Sequence, residues 1–185
     1  MDNMMVLESQ LRQIFASVVW THKIQEKQAD IYRNRYNCLE TLKIVAAAVT
    51  SAGVMSIIFT DGFILKLITA IISMVSVGIT TYFKTFDLPG LASEHKASAL
   101  QLIKIREQII SLLCDIKMNS IDEGKVCQVR DTLMEKMNSI YEGCLDASKK
   151  AVNKAESDLK KEGAFTYSDE EIDSYLPIYL RKGRD

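Results

Sequence analysis

Apolar residues in this chain are gathered into two blocks. From Ile44 to Thr60 the sequence IVAAAVTSAGVMSIIFT runs seventeen residues without a charge, and from Leu67 to Phe83 LITAIISMVSVGITTYF does the same. At about 1.5 Å rise per residue each block spans about 26 Å as a helix. The neutral flanks Leu42, Phe63, Ile64 and Leu65 extend both towards the ~30 Å hydrocarbon core of a bilayer. Between them Asp61-Gly62 is a turn signal, so the two helices reverse and lie antiparallel. Phe59 and Phe63 at one end, and Tyr82, Phe83 and Phe86 at the other, stand where interfacial aromatics belong. The competing reading, a hairpin buried inside a soluble bundle, needs a cover. The rest of the chain is too short to enclose two helices that are apolar all round. The pattern therefore predicts an all-α integral membrane protein, with a two-helix transmembrane hairpin between long cytosolic helices.

Outside the hairpin the period is helical. Residues 5–43 contain no Gly or Pro and predict one long helix running into the first span, with Leu7, Leu11, Ile14, Phe15 and Val18 on one stripe. Beyond Thr21 the helix becomes polar and reads as a solvated stalk or a binding surface; Tyr32 and Tyr36 continue a face at i, i+4 spacing. Pro89-Gly90 is expected to break the helix just past the second span. Leu91, His95, Ser98, Leu102, Ile105, Ile109, Leu112 and Ile116 then recur at alternating steps of four and three, a heptad seam. That seam pairs either with the N-terminal helix of the same chain or with another subunit. His95, on the seam, is a packing histidine or a proton switch. Ser120-x-x-Glu123 reads as a capping box opening a helix to Glu162, with Gly163 as its stop. Its apolar face is Val126, Val129, Leu133, Met137, Ile140, Cys144, Ala147 and Ala151. Ser168-x-x-Glu171 starts a last short helix, SDEEIDSYL, closed by Pro177.

These segments divide the chain into an N-terminal cytosolic helix (1–43), the transmembrane hairpin (44–83, spans 44–60 and 67–83), a cytosolic helical region (84–163) and a short C-terminal helix with its tail (164–185). Basic residues set the orientation. Lys27, Arg33, Arg35 and Lys43 precede the first span and Lys84, Lys96, Lys104 and Arg106 follow the second, whereas the turn carries Lys66 opposed by Asp61. Both termini are expected in the cytosol. The formal net charge of −1 argues against direct nucleic-acid binding through broad phosphate neutralisation. No secretory signal peptide is read at the N-terminus.

Catalytic chemistry is not legible. The two histidines, His22 and His95, have no Cys or carboxylate at metal spacing, and Cys38, Cys114, Cys127 and Cys144 read as small reduced side chains. No phosphate loop or nucleophile elbow is present, so neither an enzyme nor a bound cofactor or metal is expected. The spans carry the more specific pattern. Thr69, Ser73, Ser76 and Thr80 share one face of the second span, with Lys66 and Lys84 extending the line; Ala46, Thr50, Gly53, Ser56 and Thr60 make a similar strip on the first. Such strips let membrane helices approach closely. Alternatively Lys66, Thr69, Ser73, Ser76 and Thr80 line a water-filled lumen, which several subunits would have to enclose.

The runs THKIQEKQADIYRNRYNCLETLKIV before the first span and YFKTFDLPGLASEHKASALQLIKIREQIISLLCDI after the second resemble the SLATT family, with the closing SDEEIDSYLP segment and the K-T-F-D-L-P juxtamembrane block. The resemblance implies a bacterial two-span effector of antiphage defence. Such an effector oligomerises and forms a pore in the inner membrane once a sensor signals. The sensor would be a reverse transcriptase or a nucleotide-signalling protein, or its nucleotide second messenger. Packing at Leu91, Leu102, Ile105, Ile109 and Leu112 would serve the homo-oligomer or the single chain. The alternative is a membrane-anchored scaffold or nucleotide-responsive receptor subunit without a pore.

Overall fold

The computed structural model describes residues 3–59 and 62–161, and among these the chain is helix and connecting turns. Five helices follow in order: α1 (Asn3–Phe59), α2 (Phe63–Thr85), α3 (Leu88–Lys117), α4 (Glu123–Glu142) and α5 (Lys149–Lys161). The predicted terminal helix at 168–176 and the Gly163 stop lie outside the described residues. α1 is the spine. With no Gly before Gly53 and no Pro at all, nothing interrupts its i→i−4 ladder over 57 residues. The long helix leading into the first span is present as a single element.

α2 returns antiparallel along the upper part of α1. Only 6 % of the apolar window in α1 and 11 % of that in α2 is buried. Both spans thus expose most of their surface, and Ile44, Met55, Ile58, Ile64, Ile71 and Met74 all point outward. A core hairpin of a soluble protein would be covered; this one is left for lipid.

Phe86 and Asp87 alone separate α2 from α3. Asp87 caps α3, its carboxylate accepting the Gly90 N–H at 2.9 Å. Pro89 sits in the first turn of α3, where its missing N–H costs no hydrogen bond. The break thus falls two to three residues before the expected one, and Pro89 opens a helix that it was expected to end.

α3 runs down against the lower half of α1, and α4 rises beside both. The register between α1 and the stretch from α4 through the α4–α5 connection is regular. Asn3 to Glu123, Gln10 to Arg130, Gln25 to Leu145 and Gln28 to Ser148 each pair residues 120 apart, and Ser17 to Tyr141 residues 124 apart. A constant offset means the two run parallel. Leu7, Leu11 and Val18 of α1 meet Leu102, Ile105, Ile109, Leu112 and Ile116 of α3 and Val126, Leu133 and Met137 of α4 in one core. The heptad seam is therefore consumed within a single chain: Leu102 and Ile109 are 0 % exposed, while Leu91 and Ser98 are half-buried at its edge.

Two expectations for the helix after residue 120 are corrected. Asp122 caps it, accepting the Lys125 N–H at 3.0 Å, whereas Ser120 turns back to the Asp115 carbonyl at 3.1 Å. Nor does the helix run on to Glu162. It ends at Gly143 and resumes as α5 at Lys149. The apolar periodicity through Cys144 and Ala147 concealed this break, because the carbonyl of Leu145 and the N–H of Ser148 are engaged by side chains of α1.

Candidate functional site

The spans meet along a seam of small and weakly polar side chains. On α1, Lys43, Ala46, Thr50, Gly53 and Ile57 are buried or half-buried at steps of three and four; on α2 the same holds for Leu65, Thr69, Ile72, Ser76, Ile79 and Phe83. This spacing is that of left-handed antiparallel packing. The closest approach is Gly53 against Thr69. A Cβ placed on Gly53 would lie 3.0 Å from Thr69 Cγ2 and 3.3 Å from its Cβ, and closer still to Oγ1. Thr69 Oγ1 donates to the Leu65 carbonyl at 2.8 Å, so the hydroxyl is satisfied by its own helix. Thr50 Oγ1, by contrast, is buried in the seam without a hydrogen-bond partner among the described residues.

The five lumen candidates do not share one surface. Thr69 is buried against α1, Ser73 and Ser76 are half-buried beside it, and Thr80 and Lys66 are exposed. Thr80 Oγ1 donates to the Ser76 carbonyl at 2.9 Å. The strip therefore winds from the hairpin interface to the outer face.

At the lower end of the hairpin an aromatic belt closes the junction. Tyr36 packs on Phe83 with ring centres 5.2 Å apart, and Tyr82 on Phe86 at 4.8 Å. Lys43 lies 5.4 Å from the Phe83 ring centre and Arg35 5.1 Å from that of Tyr82. Amphipathic rings with cations over them are the usual furnishing of a membrane–water boundary.

Below the belt lies a buried polar node. Both histidines of the chain belong to it, although 73 positions separate them. His22 Nδ1 bonds the Ala99 carbonyl at 2.8 Å. His95, 1 % exposed, bonds Gln25 Oε1 through Nδ1, stacks on Tyr32 at 5.6 Å, and has Nε2 buried with no partner among the described residues. Gln25 Nε2 donates to the Leu145 carbonyl at 3.1 Å. Gln28 Oε1 accepts from Ser148, from N–H at 3.0 Å and from the hydroxyl at 2.7 Å. Burial pushes both histidine pKa values down, so the rings are neutral. His95 with its proton on Nδ1 donates to Gln25, which in turn donates to the α4–α5 connection. An ion cluster flanks this relay. Asp158 of α5 pairs with Lys27 and, at 3.3 Å, with Lys23; Glu26 accepts from Lys23 at 3.0 Å and from Lys96 of α3 at 3.4 Å. Burial alone would raise the Glu26 pKa, but Lys23 and Lys96 hold it below the usual range.

His95 was singled out from its seam position; Gln25 and Gln28 were not. A signal existed. The stripe Leu7, Leu11, Ile14, Val18 continues at steps of three and four through His22, Gln25, Ala29, Tyr32, Tyr36 and Leu39 into Lys43 and Ala46. Polar residues occupying an apolar seam must be paired when buried.

Two exposed apolar helices in a hairpin, continuous with a helical bundle, define a two-span integral membrane protein. The chain belongs to the SMODS and SLOG-associating 2TM effector domain family 4, which matches residues 7–171. No curated protein matches it, and neither does any solved structure. It is thus a membrane effector of the grouping that its sequence resembles.

Proposed function

We propose that this protein is the executing component of a bacterial antiphage system. Copies of the hairpin assemble in the inner membrane and open a pore that depolarises the cell, with both termini in the cytosol. It acts without catalysis. The trigger is a separate sensor, in keeping with the SMODS and SLOG association in the family's name; a reverse transcriptase or a nucleotide-signalling protein, or the messenger it makes, fits that role.

The observation that carries this reading is the α1–α2 seam. It is small, weakly polar and imperfectly satisfied, with Thr50 Oγ1 lacking a partner. Helices held by such a seam exchange one neighbour for another at low cost, since lipid supplies no hydrophobic force to keep them paired. In an oligomer Ser73 and Ser76 turn from α1 towards a lumen. Replacing both by Leu makes the constriction apolar, and a narrow apolar constriction dewets and stops conducting. Membrane-potential dye in induced cells then reports no depolarisation, while insertion and oligomer mass stay as in the parent. Loss of assembly together with activity refutes the lumen and leaves a packing face. A parent protein that inserts and never depolarises is instead a membrane-anchored scaffold or receptor subunit.

A further inference from the structure

A cavity of about 470 Å³ opens between α1 and α3 immediately beneath the aromatic belt, within the usual ligand-pocket range of about 300–1,000 Å³. Arg33, Tyr36 and Asn37 contribute from α1, and Ser93, Lys96 and Leu100 from α3. From these observations we infer that the cavity holds the headgroup phosphate of an anionic phospholipid.

The first reason is charge. Two cations face the space from opposite helices, and among the described residues no carboxylate lines it. Arg33 is exposed and makes no ion pair or hydrogen bond among the described residues. Among the described residues Lys96 is tethered only by Glu26 at 3.4 Å, a long contact that leaves other ammonium protons to donate. A guanidinium offers a phosphate two parallel donors, and the ammonium adds a point charge. The Tyr36 hydroxyl, the Asn37 amide and the Ser93 hydroxyl supply further donors to a glycerol or phosphate oxygen. Ala92, Ala97 and Leu100 form apolar wall, which strengthens charge contacts by keeping water back.

The second reason is depth. Tyr36 packs on Phe83, the last residue of the second apolar block. Arg33 is three residues further down α1, about 5 Å at the helical rise. The interfacial layer of a bilayer is about 5–8 Å thick on each side, the difference between its ~30 Å core and its ~40–45 Å full thickness. Arg33 therefore sits at the level of lipid phosphates, where a soluble anion must compete with headgroups already present at high local concentration. A lipid bound here bridges α1 and α3 where the hairpin joins the bundle, a different surface from the span seam.

The test uses the full chain in nanodiscs of phosphatidylcholine with one quarter phosphatidylglycerol, with lipids retained on the ejected protein counted by native mass spectrometry. The parent protein is expected to retain phosphatidylglycerol in clear preference to phosphatidylcholine. Arg33→Gln and Lys96→Gln each reduce that preference about tenfold, the loss of one charge-assisted pair. Arg33→Gln removes no ion pair or hydrogen bond among the described residues, so its effect does not pass through misfolding. Lys84→Gln, at the same boundary but outside the cavity, leaves the preference intact. The inference is overturned by equal retention of the two lipids, by variants that match the parent, or by an equal loss with Lys84→Gln. Millimolar glycerophosphoglycerol, the headgroup without its chains, should not displace the lipid. Displacement would assign the cavity to a soluble phosphodiester and refute the lipid.

Discussion

Gly53→Ala should loosen the hairpin, and the size of the effect follows from the Gly53–Thr69 approach. The added methyl would stand 3.0 Å from Thr69 Cγ2 and 3.3 Å from Thr69 Cβ, against a comfortable carbon–carbon separation of about 3.5–4.0 Å. Thr69 is β-branched and stiff at χ1, and its Oγ1 is engaged by Leu65, so it has little room to yield. Overpacking of this kind costs about 1–3 kcal/mol. Alanine recovers up to about 1 kcal/mol of helix propensity, leaving a net loss of roughly 0.5–2 kcal/mol. Gly78 provides the internal control, because a Cβ there meets nothing within 4 Å. Gly78→Ala gains the propensity term alone, so the difference between the two variants isolates the clash at about 1–3 kcal/mol. Thr69→Ala should then relieve Gly53→Ala in a double-mutant cycle, because Oγ1 and Cγ2, the two atoms nearest the added methyl, have been removed. The assay is titration of the full chain with denaturing detergent in mixed micelles, followed by energy transfer between labels at the two span ends. Equal shifts for Gly53→Ala and Gly78→Ala, or additive losses for Gly53→Ala with Thr69→Ala, would refute the close approach.

Two further outcomes concern the bundle. Leu102→Glu and Ile109→Glu each place a carboxylate where the side chain is 0 % exposed. An uncompensated buried charge costs about 3–5 kcal/mol, so protease resistance and helix content of a single chain should collapse; a chain that stays folded and changes only its oligomer mass would mean that the seam lies between subunits. The second outcome is a pH dependence. Because burial lowers the pKa of His22 and His95, the unfolded chain binds more protons than the folded one as pH drops through about 6.5. Stability in thermal melts should decline below that pH and hold above it. A His22→Gln, His95→Gln chain that keeps the same slope would assign it to other groups.

Most of the membrane half was legible because its signals are local. Charge-free blocks of the right length and a turn dipeptide between them need no tertiary information. The α1 spine was legible for the same reason, since it rests on the absence of Gly and Pro. What escaped was set by long-range partners. Nothing near Gly143 marks a stop more strongly than the apolar steps from Ile140 to Cys144 and Ala147 mark continuation. The break is fixed by Gln25 and Gln28, 120 residues away in the chain. The pairing of His22 with Ala99 and of His95 with Gln25 likewise depends on the register of two antiparallel helices, which a single sequence does not print. Thr69 and Ser76 show a different ambiguity. Their spacing places them on one face, but whether that face meets α1 or a lumen depends on how many chains are present.

The uninterrupted course of α1 has a mechanical meaning. Fifty-seven residues in one helix make a shaft about 86 Å long. Its upper part carries one half of the membrane hairpin, and its lower part is gripped by α3, α4 and α5. A shaft without a kink has no joint at which motion could be lost. Rotating its lower end by a quarter turn would carry Ala46, Thr50 and Gly53 away from α2 through nearly the same angle. Bundle and hairpin are thus not two modules joined by a linker, and a turn of the helix at one end becomes a change of the face it presents at the other.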